Sequence, residues 1–256
     1  GGTGFIGCAL IEALIDRGDK VTLLTRDLHA AQLRWDGQVD ARLWNARDPG
    51  PWVMAVNGAD AVVNLAGESV AGAHWTPERK LTLIKSRIDS TRDIVAAITA
   101  ATERPLVLVN ASAVGYYGEE PEGACDEDAP QGADFLAALC GQWEREARAA
   151  EKLEVRVAMA RFGVVLGKEG GALAKMLTPF KLGVGGPLGS GRQPFPWIHR
   201  DDAVGALLFA IDDAKLYGPV NVTAPEARTN AEFTKALGRA LRRPAFLPAP
   251  AFAVRL

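Results

Sequence analysis

Cysteine is scarce in this chain of 256 residues. There are three, Cys8, Cys125 and Cys140. None forms a C-x-x-C pair and the number is odd, so neither a disulfide framework nor a zinc ribbon is built in, and a reduced, cytoplasm-like compartment fits best. Histidine is equally sparse. His29, His74 and His199 have no metal-ligand spacing. Charge of one sign is missing too, because 29 Lys and Arg face 31 Asp and Glu for a net of −2. Without a basic block, nucleic acid is not an expected partner. No apolar run approaches the length of a membrane span, and no secretory segment is visible. There is no internal repeat, and no Gly-Lys-Ser/Thr for a nucleoside-triphosphate loop. The acidic run Glu119, Glu120, Glu122, Asp126, Glu127, Asp128 lacks the Asp-x-Asp-x-Asp-Gly calcium pattern and reads as a solvated loop.

What is present is glycine, and it is concentrated at the start. Gly1-Gly2-Thr3-Gly4-Phe5-Ile6-Gly7 contains G-x-x-G-x-x-G from Gly1 and G-x-G-x-x-G from Gly2. Ala9, Leu10, Ala13 and Leu14 follow at helical spacing, then a turn at Arg17-Gly18-Asp19, then a strand-like run from Val21 to Leu24. Glycine turn, helix, turn and strand in that order form the setting of a dinucleotide fingerprint. Small residues let the backbone approach a pyrophosphate, and the helix N-terminus offers free N–H groups to it. A strand is expected to precede such a turn. The sequence opens within the motif, and Phe252 to Leu256 stop without a cap, so residues are expected to be missing at both ends.

Beyond the turn, strand-like runs alternate with helical patterns. Strands are expected at Ala59–Leu65, Leu106–Val109 and Val155–Ala160, and helices at Pro77 to about Ala101 and Phe135 to about Glu151, the latter capped by Asp134. This alternation predicts an α/β fold, a Rossmann-like doubly wound parallel sheet with helices on both faces. After Leu166 the pattern changes. Glycine and proline crowd Gly183–Pro196. Short segments follow at Trp197-Ile198-His199, Asp202–Asp212, Val220–Val222 and Asn230–Leu241. The expected division is a nucleotide-binding domain over 1–166 and a smaller, partly interleaved substrate lobe over 167–256, with Gly183–Gly191 as a flap and Arg192 beside it.

Thr25-Arg26 ends the second strand, where an acid usually holds the ribose 2′-hydroxyl of NAD. A hydroxyl and a cation there suit a 2′-phosphate, hence NADP(H). A solvated arginine, or Asp27 acting as a displaced acid, are the alternatives. Leu65-Ala66-Gly67 offers small side chains to the middle of the cofactor, with an ordinary strand end as the alternative.

Asn64-Leu65-Ala66-Gly67, Ser112-Ala113-Val114-Gly115-Tyr116-Tyr117-Gly118, Arg161-Phe162-Gly163-Val164-Val165-Leu166-Gly167 and Trp197-Ile198-His199-Arg200-Asp201-Asp202 carry a resemblance. Together with the glycine turn they resemble the extended short-chain dehydrogenase/reductases, in particular the atypical subgroup called epimerase family proteins. The resemblance spans essentially the whole chain. It implies a Rossmann-like domain, bound NADP(H), a small-molecule substrate of unstated identity, and a monomer or homodimer. It also implies that Arg87, in Lys85-Ser86-Arg87, reaches the cofactor.

That superfamily's chemistry rests on Tyr-x-x-x-Lys and a serine on the preceding strand end, the lysine lowering the tyrosine pKa so that the tyrosine moves a proton. Ser112 matches the serine. Aligning Glu144 with the acid that follows the lysine puts Leu136 at the tyrosine and Cys140 at the lysine, and neither does the same work. Ser112 and Tyr116 are therefore the expected catalytic residues, no metal is expected, and Cys140 reads as core. Two functions stay open: an NADP(H)-dependent oxidoreductase or epimerase-like enzyme with another proton relay, or a non-catalytic NADP(H)-binding sensor or docking protein.

Overall fold

Strand alternation decides what each layer of the molecule holds. In the computed structural model, which describes residues 1–44, 50–71, 74–119, 123–226 and 228–245, four parallel strands make the central sheet. They are β3 (Ala61–Asn64), β4 (Val107–Ala113), β5 (Arg156–Phe162) and β8 (Gly218–Val222), in that spatial order. On β4 and β5, Leu108, Val157 and Met159 pack with Ile94, Ala97, Ile98 and Ala147. The intervening Val107, Val109, Ala158 and Ala160 pack with Leu10, Ala203, Val204 and Leu207. Side chains alternate along a strand, so one face of the sheet is covered by α3 (Pro77–Ala100) and α4 (Phe135–Arg148), the other by α1 (Phe5–Arg17) and α6 (Arg200–Asp212). This is the doubly wound, Rossmann-like arrangement expected from the sequence.

The helices start where their caps dictate. Thr76 accepts from Arg79 N–H, with Pro77 as the first helical residue of α3. Asp134 accepts from Ala137 N–H at the start of α4. Thr229 and Glu232 form a reciprocal capping box at α7 (Asn230–Leu241).

Several elements lie beyond what periodicity indicated. A short helix α2 (Leu28–Trp35) and strand β2 (Asp40–Leu43) follow β1 (Thr22–Thr25), and β1 and β2 pair in parallel as a separate two-stranded sheet. A cleft of about 630 Å³ separates β1 from β3, lined by Leu10, Ile11, Leu23 and Val63 among others. In the C-terminal part, β6 (Val164–Gly167) pairs with β7 (Trp197–His199), and α5 (Gly171–Lys181) lies between them in sequence. Strand β8 and helix α6 return to the main sheet, so residues 200–222 belong with the nucleotide-type core although they follow residue 166. Of the acidic run, Glu120 and Glu122 lie outside the described residues, as do Phe252 to Leu256.

Candidate cofactor and reaction site

The glycine turn abuts the end of β3 directly. A β-carbon at Gly1 would overlap the Leu65 carbonyl and sit 2.6 Å from Ala66 N. One at Gly7 would sit 2.6 Å from Gly2 Cα. Side chains at these two places would push the turn off both the helix and the strand end. Gly4 begins α1 and no side chain caps it. The first-turn N–H groups therefore face outward, where a ligand's negative charge is favoured. Thr3 is exposed, Ile6 is half-buried against the core, and the half-buried Phe5 ring packs under Gly167 and Gly170. Arg200 lies over the same ring, 5.7 Å from its centroid. The glycine turn thus meets the C-terminal segment through Phe5.

At the end of β1, Thr25 is buried, and its hydroxyl is engaged locally. It accepts from Asp27 N–H at 3.1 Å and donates to Asp27 O at 3.2 Å. Asp27 caps α2, accepting from Ala30 N–H at 2.9 Å. Arg26 is exposed and makes no ion pair among the described residues.

Across the turn from Gly1, Gly67 faces Arg87. A β-carbon on Gly67 would lie 3.2 Å from Arg87 Cζ. The same guanidinium stacks on the Trp143 ring at 5.2 Å. Gly1, Leu65, Ala66, Gly67 and Arg87 are therefore contiguous, although they span 87 positions of sequence.

The sheet carries a polar row on the face toward α3 and α4. Asn64 donates to Asn110 Oδ1 at 2.7 Å and to Thr91 Oγ1 at 2.9 Å. Trp143 Nε1 donates to the same threonine hydroxyl at 2.9 Å. Further along, parallel pairing sets Ser112 opposite Arg161, and Arg161 opposite Asn221. Arg161 is 1% exposed and Glu144 3%. Arg161 Nε and Nη2 donate to the two Glu144 oxygens at 2.8 and 2.9 Å. Its Nη1 donates to Tyr117 Oη at 2.9 Å and to Glu127 O at 3.1 Å. Tyr117 in turn donates to Asn221 Oδ1 at 2.6 Å.

Ser112 was expected to face the reacting groups. It is 3% exposed and its hydroxyl donates to Glu144 Oε1 at 2.7 Å, so its proton is held inside the protein. Burial, the largest effect, holds the Tyr117 hydroxyl above its ordinary pKa. Tyr116 differs from both. Its ring is half-buried, stacked on the Arg161 guanidinium at 3.6 Å and edge-on to Tyr117, and its hydroxyl makes no hydrogen bond among the described residues. Sequence reasoning overlooked Arg161 and Glu144 as a buried pair. The available signal was a lone arginine inside the otherwise apolar run Val157–Phe162.

Leu136 lies against Gly115, with its Cβ 3.5 Å from where a β-carbon there would be. Cys140 is buried, and that burial, reinforced by the Glu144 charge, pushes its thiol up to about 11. It is a neutral core residue near pH 7. A thiol reagent at pH 7.5 is therefore expected to label the half-buried Cys125 first, and Cys8 and Cys140 only when denaturant opens the core. Mass mapping of the labelled peptides checks this, and early labelling of Cys140 would contradict it. His199 serves as the N-cap of α6, its Nδ1 accepting from Asp201 N–H at 3.2 Å.

A family model described as the NAD dependent epimerase/dehydratase family matches residues 1–223. The chain belongs to that family. It is 43% identical over 257 residues to the chloroplastic SDR39U1 homolog of Arabidopsis thaliana, covering all of this chain and 73% of that protein. It is 40% identical over 258 residues to the human epimerase family protein SDR39U1, covering all of this chain and 83% of the relative. A crystal structure of human SDR39U1 with NADPH superimposes with a TM-score of 0.87 at 38% identity, over 97% of this chain and 81% of that one. A nucleoside-diphosphate sugar epimerase from Corynebacterium glutamicum gives 0.79 at 32% identity, over 98% and 52% of the two chains. Among the described residues no helix is long and apolar enough to cross a membrane.

Proposed function

We propose that this family member is an NADP(H)-dependent oxidoreductase or epimerase-like enzyme acting on a small molecule. The observation that carries the cofactor choice is Arg26, which makes no ion pair among the described residues, with Asp27 engaged as a helix cap. NADPH in the human relative's structure supports the same choice. The residues fit the group. Gly1, Gly2 and Gly7 let the turn pack closely against Leu65, Leu23 and itself, and the first turn of α1, from Gly4 through Phe5 and Ile6 with Thr3 before it, would offer its uncapped N–H groups to a pyrophosphate. Leu65, Ala66 and Gly67 border its middle, and Arg87 faces the same strand end.

Bound NADP(H) would supply the hydride. The chain's own residues would hold the ligand and handle the proton. Arg26 grips the 2′-phosphate, while Thr25 fixes the backbone around Asp27 instead of reaching the phosphate. Tyr116 has the uncommitted hydroxyl of its loop and is the proton-handling group of this reading. Ser112 acts behind it, orienting Glu144 and so Arg161. The substrate lobe comprises the segments outside the main sheet, 167–199 and 223–245. The protein works as a monomer or as a homodimer through α3 and α4. Free cysteines suit a reducing compartment such as the cytoplasm; the plant relative is chloroplastic, so the compartment differs within the family.

Wild type is expected to bind NADPH about ten- to 150-fold more tightly than NADH, from one or two charge-assisted hydrogen bonds. Arg26→Ala is expected to erase that preference. Calorimetric titration of both cofactors into both proteins checks it. Equal affinities in wild type, or a preference that survives the substitution, would sink the assignment. A second reading, a non-catalytic NADP(H) sensor, is favoured by one observation: the Leu136 and Cys140 positions carry no proton relay.

A further inference from the structure

We propose that a hollow at the C-terminal end of α7 binds a small molecule bearing a di- or triphosphate. None of its lining residues belongs to the glycine turn, the β3 end or the tyrosine loop, and the proposal does not depend on the cofactor reading.

The hollow has a volume of about 560 Å³, and four cations line it: Lys235, Arg239, Arg242 and Arg243. They form no block in sequence, and the helix brings them together. Ala231, Lys235, Gly238 and Arg242 follow one another at spacings of four, three and four, so they share one stripe of α7. The helix ends on Arg242 in the left-handed conformation, φ 53°, and Arg243 N–H turns back to donate to Gly238 O at 2.9 Å. A β-carbon on Gly238 would lie 2.5 Å from Ala245 Cβ, so the returning chain closes onto the helix there. The remaining wall is Pro187. It is held in place by Asn230, which is 1% exposed and whose Oδ1 accepts from Leu188 N–H at 2.7 Å.

Nothing acidic answers these charges. All four side chains are exposed, and none makes an ion pair among the described residues. Residues 233–256 contain no Asp or Glu. The acid of α7, Glu232, is turned back onto Thr229 in the capping box. The negative end of the helix favours cations in its last turn. That does not account for Lys235, more than a turn from the end and four residues before Arg239, where like charges repel. Nor does it account for arginine at a left-handed position that glycine occupies without strain. An anion of several charges answers both. Arginine's planar fork matches phosphate oxygens in pairs. Pro187, Ala231, Gly238 and Ala245 add an apolar lining for an uncharged ring. The volume falls in the range of roughly 300–1,000 Å³ typical of small-molecule sites. A concave site on a chain of net charge −2 favours a small ligand over nucleic acid or a membrane.

The probes are ADP and, for the phosphate part alone, inorganic pyrophosphate, titrated by calorimetry and mapped by amide NMR shifts. ADP is expected to move the amides of Ala231, Gly238 and Ala245. Arg239→Gln and Arg242→Gly are each expected to weaken both probes about tenfold or more, the worth of one charge-assisted hydrogen bond. Glycine suits the left-handed cap, so Arg242→Gly is expected to melt no lower than wild type, which separates lost binding from lost folding. Arg26→Ala is expected to leave the pyrophosphate affinity unchanged. Shifts confined to Gly2–Gly7, with affinity intact in both α7 variants, would put the nucleotide on the glycine turn and overturn the proposal. So would binding of a single-stranded oligonucleotide or of phosphatidylserine vesicles with no ADP shift at Gly238. Absence of binding by either probe at about 1 mM would overturn it as well.

Discussion

Arg161→Met is expected to lower stability by about 3–5 kcal/mol, the cost of leaving one partner of a buried ion pair uncompensated. For a chain of this size that corresponds to a melting temperature lower by roughly 6–20 °C. Glu144 would be left 3% exposed with Ser112 as its remaining side-chain donor. Tyr117 would lose the donation from Nη1, and the Tyr116 ring its stacked cation. Burial works against the charge of Arg161, yet its bonds to Glu144 and Tyr117 hold its pKa above the ordinary value. The cost therefore lies in the orphaned carboxylate more than in lost attraction. The double variant Glu144→Leu/Arg161→Met is expected to be more stable than Arg161→Met alone, because no charge is then stranded. Urea denaturation of the three proteins checks the ordering. A single variant as stable as wild type, or a double variant no more stable than Arg161→Met, would contradict it.

Local signals made the glycine turn, the long helices and the core strands legible in the sequence. The turn needs small residues in a row, Asp134 announces a helix start, and apolar runs such as Leu106–Val109 announce strands. β4 and β5 run further than the apolar stretches suggested, and β3 is shorter. β4 continues through Asn110 and Ser112, whose polar side chains are buried but bonded to partners far along the chain. Helix α2 and strand β2 are short and weakly patterned, and they depend on Asp27 as a cap and on pairing with β1. The Ser112–Glu144–Arg161 cluster was illegible for a different reason. Its members are brought together by strand register and by α4 crossing the sheet, and no spacing in sequence encodes that register. Arg87 was flagged by resemblance alone; its setting against Gly67 and Trp143 required coordinates.

UDP- and GDP-sugars are expected to turn over far more slowly than in an ordinary enzyme, by about 10²–10⁴-fold, which is what a positioned general acid–base group usually contributes. Typical turnover is on the order of 10 per second, so the expected rate is about 0.1 per second or less. The resemblance would put Leu136 at the superfamily's tyrosine, and Leu136 packs against Gly115 and has no proton to give. The same alignment would put Cys140 at the lysine, and its thiol is buried and pushed up to about 11. Ser112, the remaining member of the usual trio, has its hydroxyl turned inward to Glu144. Of the two adjacent tyrosines, Tyr116 has the hydroxyl without a hydrogen bond among the described residues, and its ring lies over Arg161 on a different element from α4. Product analysis of a panel of UDP- and GDP-sugars incubated with NADPH- and NADP-loaded protein checks this. Turnover near 10 per second on any of them would show that a proton relay operates without the pair, and Tyr116→Phe would then show whether Tyr116 carries it.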